Sequence, residues 1–214
     1  MDSYRHKGLR KNLVETLIEK GITDSNVLNA IGNVPRHLFL DKAFEEWSYK
    51  DQAFPINDGQ TISQPYTVAL QTQLLDVQST DKVLEVGTGS GYQAAVLSCL
   101  CKRIYSIERH KTLYVKTSKL LRNIGYGSIR TLHGDGYLGA ERYAPYDKII
   151  ITAGASNIPK QLLQQLSVGG YLVIPVGDND AKTMTRITKV DDGKYESEAF
   201  GVFKFVPFLK GAVH

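Results

Sequence analysis

The sequence predicts an α/β fold, a mostly parallel sheet covered by helices on both faces, and three observations carry that reading. From Asp81 onward, short apolar runs alternate with segments of helical period for about a hundred residues, the pattern of strand–helix–strand units whose strands lie parallel. The first run, Val83-Leu84-Glu85-Val86, passes directly into Gly87-Thr88-Gly89-Ser90-Gly91 and then into Ala94, Ala95, Val96 and Leu97 at helical spacing, which reads as strand, tight turn, helix. The last part changes character: residues 183–190 and 195–206 read as strands around Asp191-Asp192-Gly193, a hairpin signal, so the sheet ends in an antiparallel pair.

Ahead of the sheet the chain is helical. Leu13, Val14, Leu17 and Ile18 predict an amphipathic helix over 9–20, stopped by Gly21. Asp24 or Ser25 caps a second helix that turns Val27, Leu28 and Ile31 inward, and Val34-Pro35-Arg36 breaks it. A short third helix is expected over 37–47. Residues 49–63, rich in Asp, Gly, Pro and Gln, show no period, and so long an irregular stretch inside a compact domain is commonly functional. Gln64-Pro65 restarts a helix carrying Val68, Leu70, Leu74 and Leu75. Strands are then expected at 82–86, 103–107, 129–132, 147–152 and 171–175, with helices at 91–100, 111–123 and 159–166. The 214 residues read as one domain, with 1–80 the helical and irregular N-terminal part and 81–214 the α/β core and C-terminal strands.

Composition narrows the function classes. Hydrophobic residues make up 42% and charged residues 22%, the balance of a soluble globular chain. The net charge of +4 is spread along the sequence, which fits a solvated surface rather than a nucleic-acid face. Cys99 and Cys101, two residues apart, make neither a disulfide framework nor a zinc site and read as thiols of a reducing compartment. Met1 to Arg10 lack the apolar centre of a signal peptide, and no apolar run is long enough to span a membrane. The expectation is a cytoplasmic monomer without a metal, a nucleic-acid partner or a membrane anchor.

The glycine loop is where chemistry enters. Glycines at 87, 89 and 91 let a ligand approach the backbone, and the loop amides with the following helix start favour electron-rich groups. A dinucleotide fingerprint needs a small residue three places after the second glycine, where this chain has Tyr92, and a phosphate-cradling P-loop needs a lysine that is absent. The loop therefore suits a ligand without phosphates. Glu108 ends the second strand of the alternating region, about twenty residues on, where a carboxylate can accept from both ribose hydroxyls; the plainer alternative is a surface acid favoured at a helix start. Asp135, in His133-Gly134-Asp135-Gly136 after the third strand, can take an adenine amino group, with the adjacent backbone at Gly136 taking a ring nitrogen. The three sites together outline a nucleoside pocket.

With these residues in view, the chain resembles the S-adenosylmethionine-dependent methyltransferases of the seven-stranded Rossmann-like class and, within it, the protein-L-isoaspartate O-methyltransferase family. The resemblance runs through Gly21-Ile22-Thr23-Asp24, Val34-Pro35-Arg36-His37, Asp58-Gly59-Gln60-Thr61-Ile62-Ser63-Gln64-Pro65, Val83 to Gln93, Gly134-Asp135-Gly136, Pro145-Tyr146-Asp147, Gly169-Gly170, Ile174-Pro175-Val176-Gly177 and Phe205-Val206-Pro207. The glycine loop supports the class; the Thr-Ile-Ser-Gln-Pro segment supports the substrate. The resemblance implies S-adenosyl-L-methionine as cofactor and methylation of the free α-carboxylate of L-isoaspartyl residues in damaged proteins, which leads to their repair through a succinimide. It places Ser63 as the active-site residue and Ile62, Gln64 and Pro65 along the cofactor's methionine end. It adds Thr88, Ser90 and Arg109 to the cofactor contacts of the loop and Glu108, and gives Ile174, Pro175 and Val176 as backbone for an extended peptide substrate. Glu85 either orders the glycine loop or reaches the cofactor's amino end through water. Ser63 has an alternative role as the N-cap of the helix starting near Pro65. One departure stands out: after the fourth strand the family usually has Thr-Ala-Ala-Ala, and this chain has Thr152-Ala153-Gly154-Ala155.

Such a reaction asks little of side chains. An α-carboxylate with pKa near ~3.5 is ionised at neutral pH and needs no general base, so catalysis comes from alignment and from a water-poor site, for which residues 51–63 are the expected cover. Competing classes lack their signatures. A nucleic-acid N-methyltransferase needs Asn or Asp with Pro-Pro and an aromatic after the fourth strand. A cytosine C5-methyltransferase needs a cysteine nucleophile, and Cys99 and Cys101 lie at the far end of a helix. Metal- or His-based small-molecule methyltransferases need ligand-spaced histidines, unlike those at 6, 37, 110, 133 and 214. A non-catalytic peptide-binding module has no reason to keep Glu108, Asp135 and Ser63, and Tyr92 argues against a nicotinamide dehydrogenase.

Overall fold

The structure, a computed structural model, describes residues 2–178 and 180–214. It opens with α1 (Tyr4–Glu19) and α2 (Ser25–Asn33). The first helix starts earlier than its apolar stripe because Ser3 and His6 form a reciprocal capping box. Asp24 caps the second, accepting from the amides of Asn26 and Val27 at 2.8 and 3.2 Å. In place of one helix over 37–47 there are two 3-10 turns, Arg36–Phe39 and Lys42–Trp47, because Asp41 accepts from the Ala43 amide (2.9 Å) and begins a fresh turn. The irregular stretch holds a two-residue ladder between β1 (Phe54–Pro55) and β2 (Thr61–Ile62), closed by a turn at Asn57–Gly59. Then comes α3 (Pro65–Leu75).

The main sheet is built from β3 (Lys82–Val86), β4 (Arg103–Glu108), β5 (Arg130–His133), β6 (Tyr146–Ile151), β7 (Leu166–Val176), β8 (Ala181–Asp191) and β9 (Lys194–Lys204) in the spatial order β5-β4-β3-β6-β7-β8-β9. The first five are parallel; β8 runs antiparallel to β7, and β9 antiparallel to β8. Helices α4 (Tyr92–Ser98), α5 (Lys111–Asn123) and the short α6 (Lys160–Gln164) complete the crossovers. The alternating period of the strands sorts two cores. Val83, Ile150 and Val173 face the layer of α1 to α4, whereas Leu84, Ile149, Ile151, Leu172 and Ile174 face the layer containing Leu162 of α6. Burial on both faces is why these strands read as unbroken apolar runs. The chain leaves β3 toward β4 on one side and arrives at β6 on the other, so a crevice opens at their carboxyl ends, the position where open α/β sheets bind ligands.

Candidate active site

The glycine loop leaves β3 on backbone that its own neighbours fix. Gly87 and Thr88 donate to the Ile107 carbonyl at 2.8 and 3.1 Å, and Gly91 donates to Thr88 at 2.8 Å. Gly87 (φ 102°) and Gly91 (φ 86°) occupy the left-handed region. A Cβ on Gly87 would fall on the Thr152 hydroxyl, and one on Gly91 would come within 2.8 Å of Thr117 Cγ2. The loop carbonyls are held from below: Thr152 Oγ1 donates to Gly87 (2.7 Å) and Thr117 Oγ1 to Gly89 (2.7 Å). Beneath the loop a polar chain runs from Glu85 through Ser106 to Thr88, whose hydroxyl is 2.6 Å from that of Ser106. Burial pushes the Glu85 carboxyl up to about 8, so it holds a proton at neutral pH. Of its two alternatives, Glu85 takes the first: it orders the loop and does not line the cleft.

Glu108, only 4% exposed at the end of β4, accepts from the amides of Gly89 (2.8 Å) and His110 (2.9 Å) and lines the cleft. A carboxylate has about four lone-pair sites, so two amides orient it and leave room for hydroxyl donors. Tyr92 turns away beneath the loop, its ring under the Arg36 guanidinium at 4.7 Å.

Two segments close over the crevice. The β1–β2 hairpin is latched to α5 by Thr112 Oγ1 to Asp58 (2.5 Å) and Lys116 Nζ to Asn57 (2.5 Å), and it brings Gln60, Thr61, Ile62 and Ser63 to the wall. From the other side the C-terminal residues Val206, Pro207, Phe208 and Leu209 line it as well. They are anchored at Gly154, whose amide donates to Val206 and whose carbonyl accepts from Phe208, both at 2.8 Å. A Cβ at Gly154 would lie 2.9 Å from Lys182 Cγ and 3.2 Å from Phe205 Cβ, so the departure from the family's Ala lets the tail and β8 pass closely.

Ser63 stands where this cleft meets an outer groove lined by Tyr66, Thr67 and residues 202–206. Its backbone carbonyl accepts from Nη2 of Arg36 at 2.9 Å. That guanidinium is fully buried, also binds the carbonyls of Ser48 and Gln52, and is brought down by burial to about 10, still a cation at neutral pH. The N-cap alternative for Ser63 is not realised: α3 starts at Pro65 with Gln64 at the cap position and no side-chain cap bond.

Of the expected cofactor contacts, the structure brings Ile62, Gly87, Thr88, Gly89, Ser90, Glu108, Arg109 and Gly136 to one cleft. The others do not line it. Gln64 spends its amide on Asp51 (2.9 Å to Oδ2), and Pro65 is buried in the first turn of α3. Gly91 packs against Thr117 and Leu121 under the loop. Asp135 accepts from the amides of Tyr137 (2.9 Å) and Gly211 (2.8 Å), one on each oxygen, and so pins the tail; like Glu108 it keeps lone pairs beyond those two bonds. Arg109, which lines the cleft, also reaches the tail, its Nε donating to the Gly211 carbonyl at 3.2 Å. The expectation for Ile174, Pro175 and Val176 fails for a plainer reason: they pair with Thr185, Met184 and Thr183 of β8, and Ala155 binds the Pro175 carbonyl (2.9 Å), so this backbone is spent within the sheet. Thr152, Val68, Gln93 and the 206–209 strap line the cleft without having been predicted. Their only sequence signal was position after a strand or beside the loop.

A seven-stranded sheet with a glycine loop after its first parallel strand and an acid closing the next defines a nucleoside-dependent methyltransferase of the Rossmann-like class. The glycine loop, with no room for a Cβ at Gly87 or Gly91, and the acceptor at Glu108 fit S-adenosylmethionine. Comparison with known proteins narrows this. A model of the protein-L-isoaspartate(D-aspartate) O-methyltransferase family matches residues 8–212. A protein-L-isoaspartate O-methyltransferase of Christiangramia forsetii is 56% identical over 209 residues, 98% of each chain. A solved protein-L-isoaspartate O-methyltransferase superposes with a TM-score of 0.83 at 26% identity, over 92% of this chain and 65% of that one. A Plasmodium falciparum structure described as a putative member, in complex with S-adenosyl-L-homocysteine, gives 0.82 at 24% identity, over 94% and 98%. The chain belongs to the protein-L-isoaspartate(D-aspartate) O-methyltransferase family. It transfers the methyl group of S-adenosylmethionine to the free α-carboxylate of L-isoaspartyl residues and so initiates their repair through a succinimide. Among the described residues no helix is long and apolar enough to cross a membrane.

Proposed function

We propose that the inner cleft holds the cofactor, that the outer groove holds the peptide, and that Ser63 aligns the acceptor where the two meet. The observation that carries this reading is the position of Ser63 on the wall of both spaces, with Thr61, Thr152 and Val206 beside it. When bound, S-adenosylmethionine supplies a methyl group already activated on a sulfonium. The Ser63 hydroxyl donates to one carboxylate oxygen and leaves the other free to attack. Arg36 keeps Ser63 at a fixed height through its backbone carbonyl. The β1–β2 hairpin and the 206–209 strap exclude water from a step in which opposite charges cancel. The peptide runs along the end of β9, an edge strand with an unpaired side, where Lys204 supplies a cation for the carboxylate. The paired backbone of Ile174, Pro175 and Val176 has no part in it. The free thiols and the absence of a membrane-crossing helix among the described residues support a cytoplasmic site of action.

The test is transfer of labelled methyl to one peptide prepared in isoaspartyl and aspartyl forms. Wild type is expected to methylate only the isoaspartyl form. Ser63→Ala is expected to lower kcat about 10- to 100-fold, the worth of a hydrogen bond to a charged group, with cofactor affinity unchanged within about twofold. Full activity in Ser63→Ala would remove the serine from the mechanism.

A further inference from the structure

Gln93 belongs to no function described so far, and its hydrogen bonds can be followed proton by proton. It is the second residue of α4, is 7% exposed and lines the inner cleft. Thr72, fully buried on α3, donates its single hydroxyl proton to the Val68 carbonyl at 2.7 Å, and a carbonyl can only accept. Thr72 Oγ1 is therefore left as an acceptor toward Gln93, so the atom of Gln93 lying 2.9 Å away must be the amide nitrogen. This fixes the orientation of the amide and leaves Oε1 as its unspent atom. That oxygen is buried and has no partner among the described residues. An orphaned buried acceptor is destabilising, so its retention in a ligand cleft points to a donor on the ligand.

The rest of the wall says which donor. The carbonyls of Gly87 and Gly89 are already occupied by Thr152 and Thr117. Glu108, at the end of β4, serves the ribose side. Through Thr72 and Val68, Gln93 is tied to α3, the helix that begins just after Ile62 and Ser63, so it belongs to the side of the wall where the proposed methyl transfer takes place and where the amino-acid end of the ligand lies. That end carries one carboxylate, which a carbonyl oxygen repels, and one ammonium. We infer that Gln93 Oε1 accepts a hydrogen bond from the α-ammonium of the bound S-adenosyl amino acid, with Thr72 setting the amide's orientation. This rests on the inner cleft being the cofactor site.

The experiment compares two ligands by titration calorimetry. S-adenosylhomocysteine carries the ammonium; 5′-methylthioadenosine has the same nucleoside and thioether without the amino-acid end. In Gln93→Met, of similar length and without the acceptor, affinity for S-adenosylhomocysteine is expected to fall at least about tenfold while that for methylthioadenosine stays within about twofold. Gln93→Asn keeps the amide but draws it back and is expected to show the same selective loss. Equal weakening of both ligands in both variants, or no loss for S-adenosylhomocysteine, overturns the assignment. If Glu108→Gln also leaves both affinities untouched, the cleft itself is wrong, a failure distinct from that of Gln93.

Discussion

Replacing Glu85 with glutamine is expected to remove a pH dependence that the wild-type fold carries in its centre. The carboxyl is fully buried, and desolvation outweighs the Ser106 hydrogen bond in raising it from 4.5 to about 8, with the charge of Glu108 adding to the rise. Between those values the folded protein keeps a proton that the unfolded chain has released. The unfolded state then binds fewer protons than the native state, so stability falls as pH rises through this window. Each pH unit costs about 1.4 kcal/mol, so from about pH 5 to about pH 7.5 the wild type loses on the order of 3 kcal/mol through this one group. Glutamine has the same shape, still reaches Ser106 and has no proton to lose. Urea unfolding of both proteins across that range isolates the group, because every other titration is common to both and cancels in the difference. The stability of Glu85→Gln relative to wild type should climb by about 3 kcal/mol, most of it above pH 5 and levelling off near pH 8. Parallel profiles would mean that the carboxyl is ionised in the native state and that the buried proton is wrong.

Three further outcomes follow from contacts in the cleft. Glu108→Ala strips the anchors of the Gly89 and His110 amides along with the ribose acceptor, and should weaken S-adenosylhomocysteine more than about tenfold by calorimetry; unaltered affinity counts against the ribose assignment. Gly91→Ala forces a Cβ into left-handed backbone 2.8 Å from Thr117 and should cost about 2–4 kcal/mol in urea unfolding, whereas a loss below about 1 kcal/mol would show that the loop relaxes freely. Removing residues 210–214 takes away the tail's anchors at Arg109 and Asp135 and should speed S-adenosylhomocysteine dissociation about tenfold in stopped flow; an unchanged rate would mean that the tail is no strap.

What the sequence made legible is what short-range pattern controls. The strand–loop–helix unit from Val83 to Leu97 and the pairing of Glu108 with its loop arise from residues within about twenty-five positions of one another, where strand period, glycine spacing and the end of a strand leave a readable trace. The errors fall where partners are distant or paired in an unexpected way. Nothing near Asp135 reveals that its carboxylate also holds the amide of Gly211, 76 residues on. Gln64 sits in the most distinctive motif of the chain, yet its side chain turns to Asp51. Ile174, Pro175 and Val176 are expected to offer their backbone to a peptide, and nothing local shows that it is already paired. In fact β6 stops at Ile151, so β7 runs on past it, and Ala155 together with β8 fills the gap. Residues 206–209 have no periodic signal, because their conformation is set by Gly154 and by the stacking of Phe208 on Tyr137 at 4.2 Å.

The two acids that first outlined a nucleoside pocket therefore do different work. Glu108 is held by amides of its own strand end and of the glycine loop, elements that need not move when a ligand arrives, so its remaining lone pairs are aimed in advance. Asp135 is held in part by the tail, which also forms the cleft wall at Val206 to Leu209. A ligand group that competed for Asp135 would loosen the strap that covers it, whereas one that left the Gly211 bond intact would be sealed in by it. On the proposed reading, the adenine end meets the backbone at Gly136, which lines the cleft, and any bond to the neighbouring carboxylate must leave the Gly211 amide in place. A Cβ at Gly136 would lie 2.5 Å from Val86 Cγ1 and 3.0 Å from the Phe208 ring, so the absence of a side chain there is what lets the end of β3 and the tail close on this backbone.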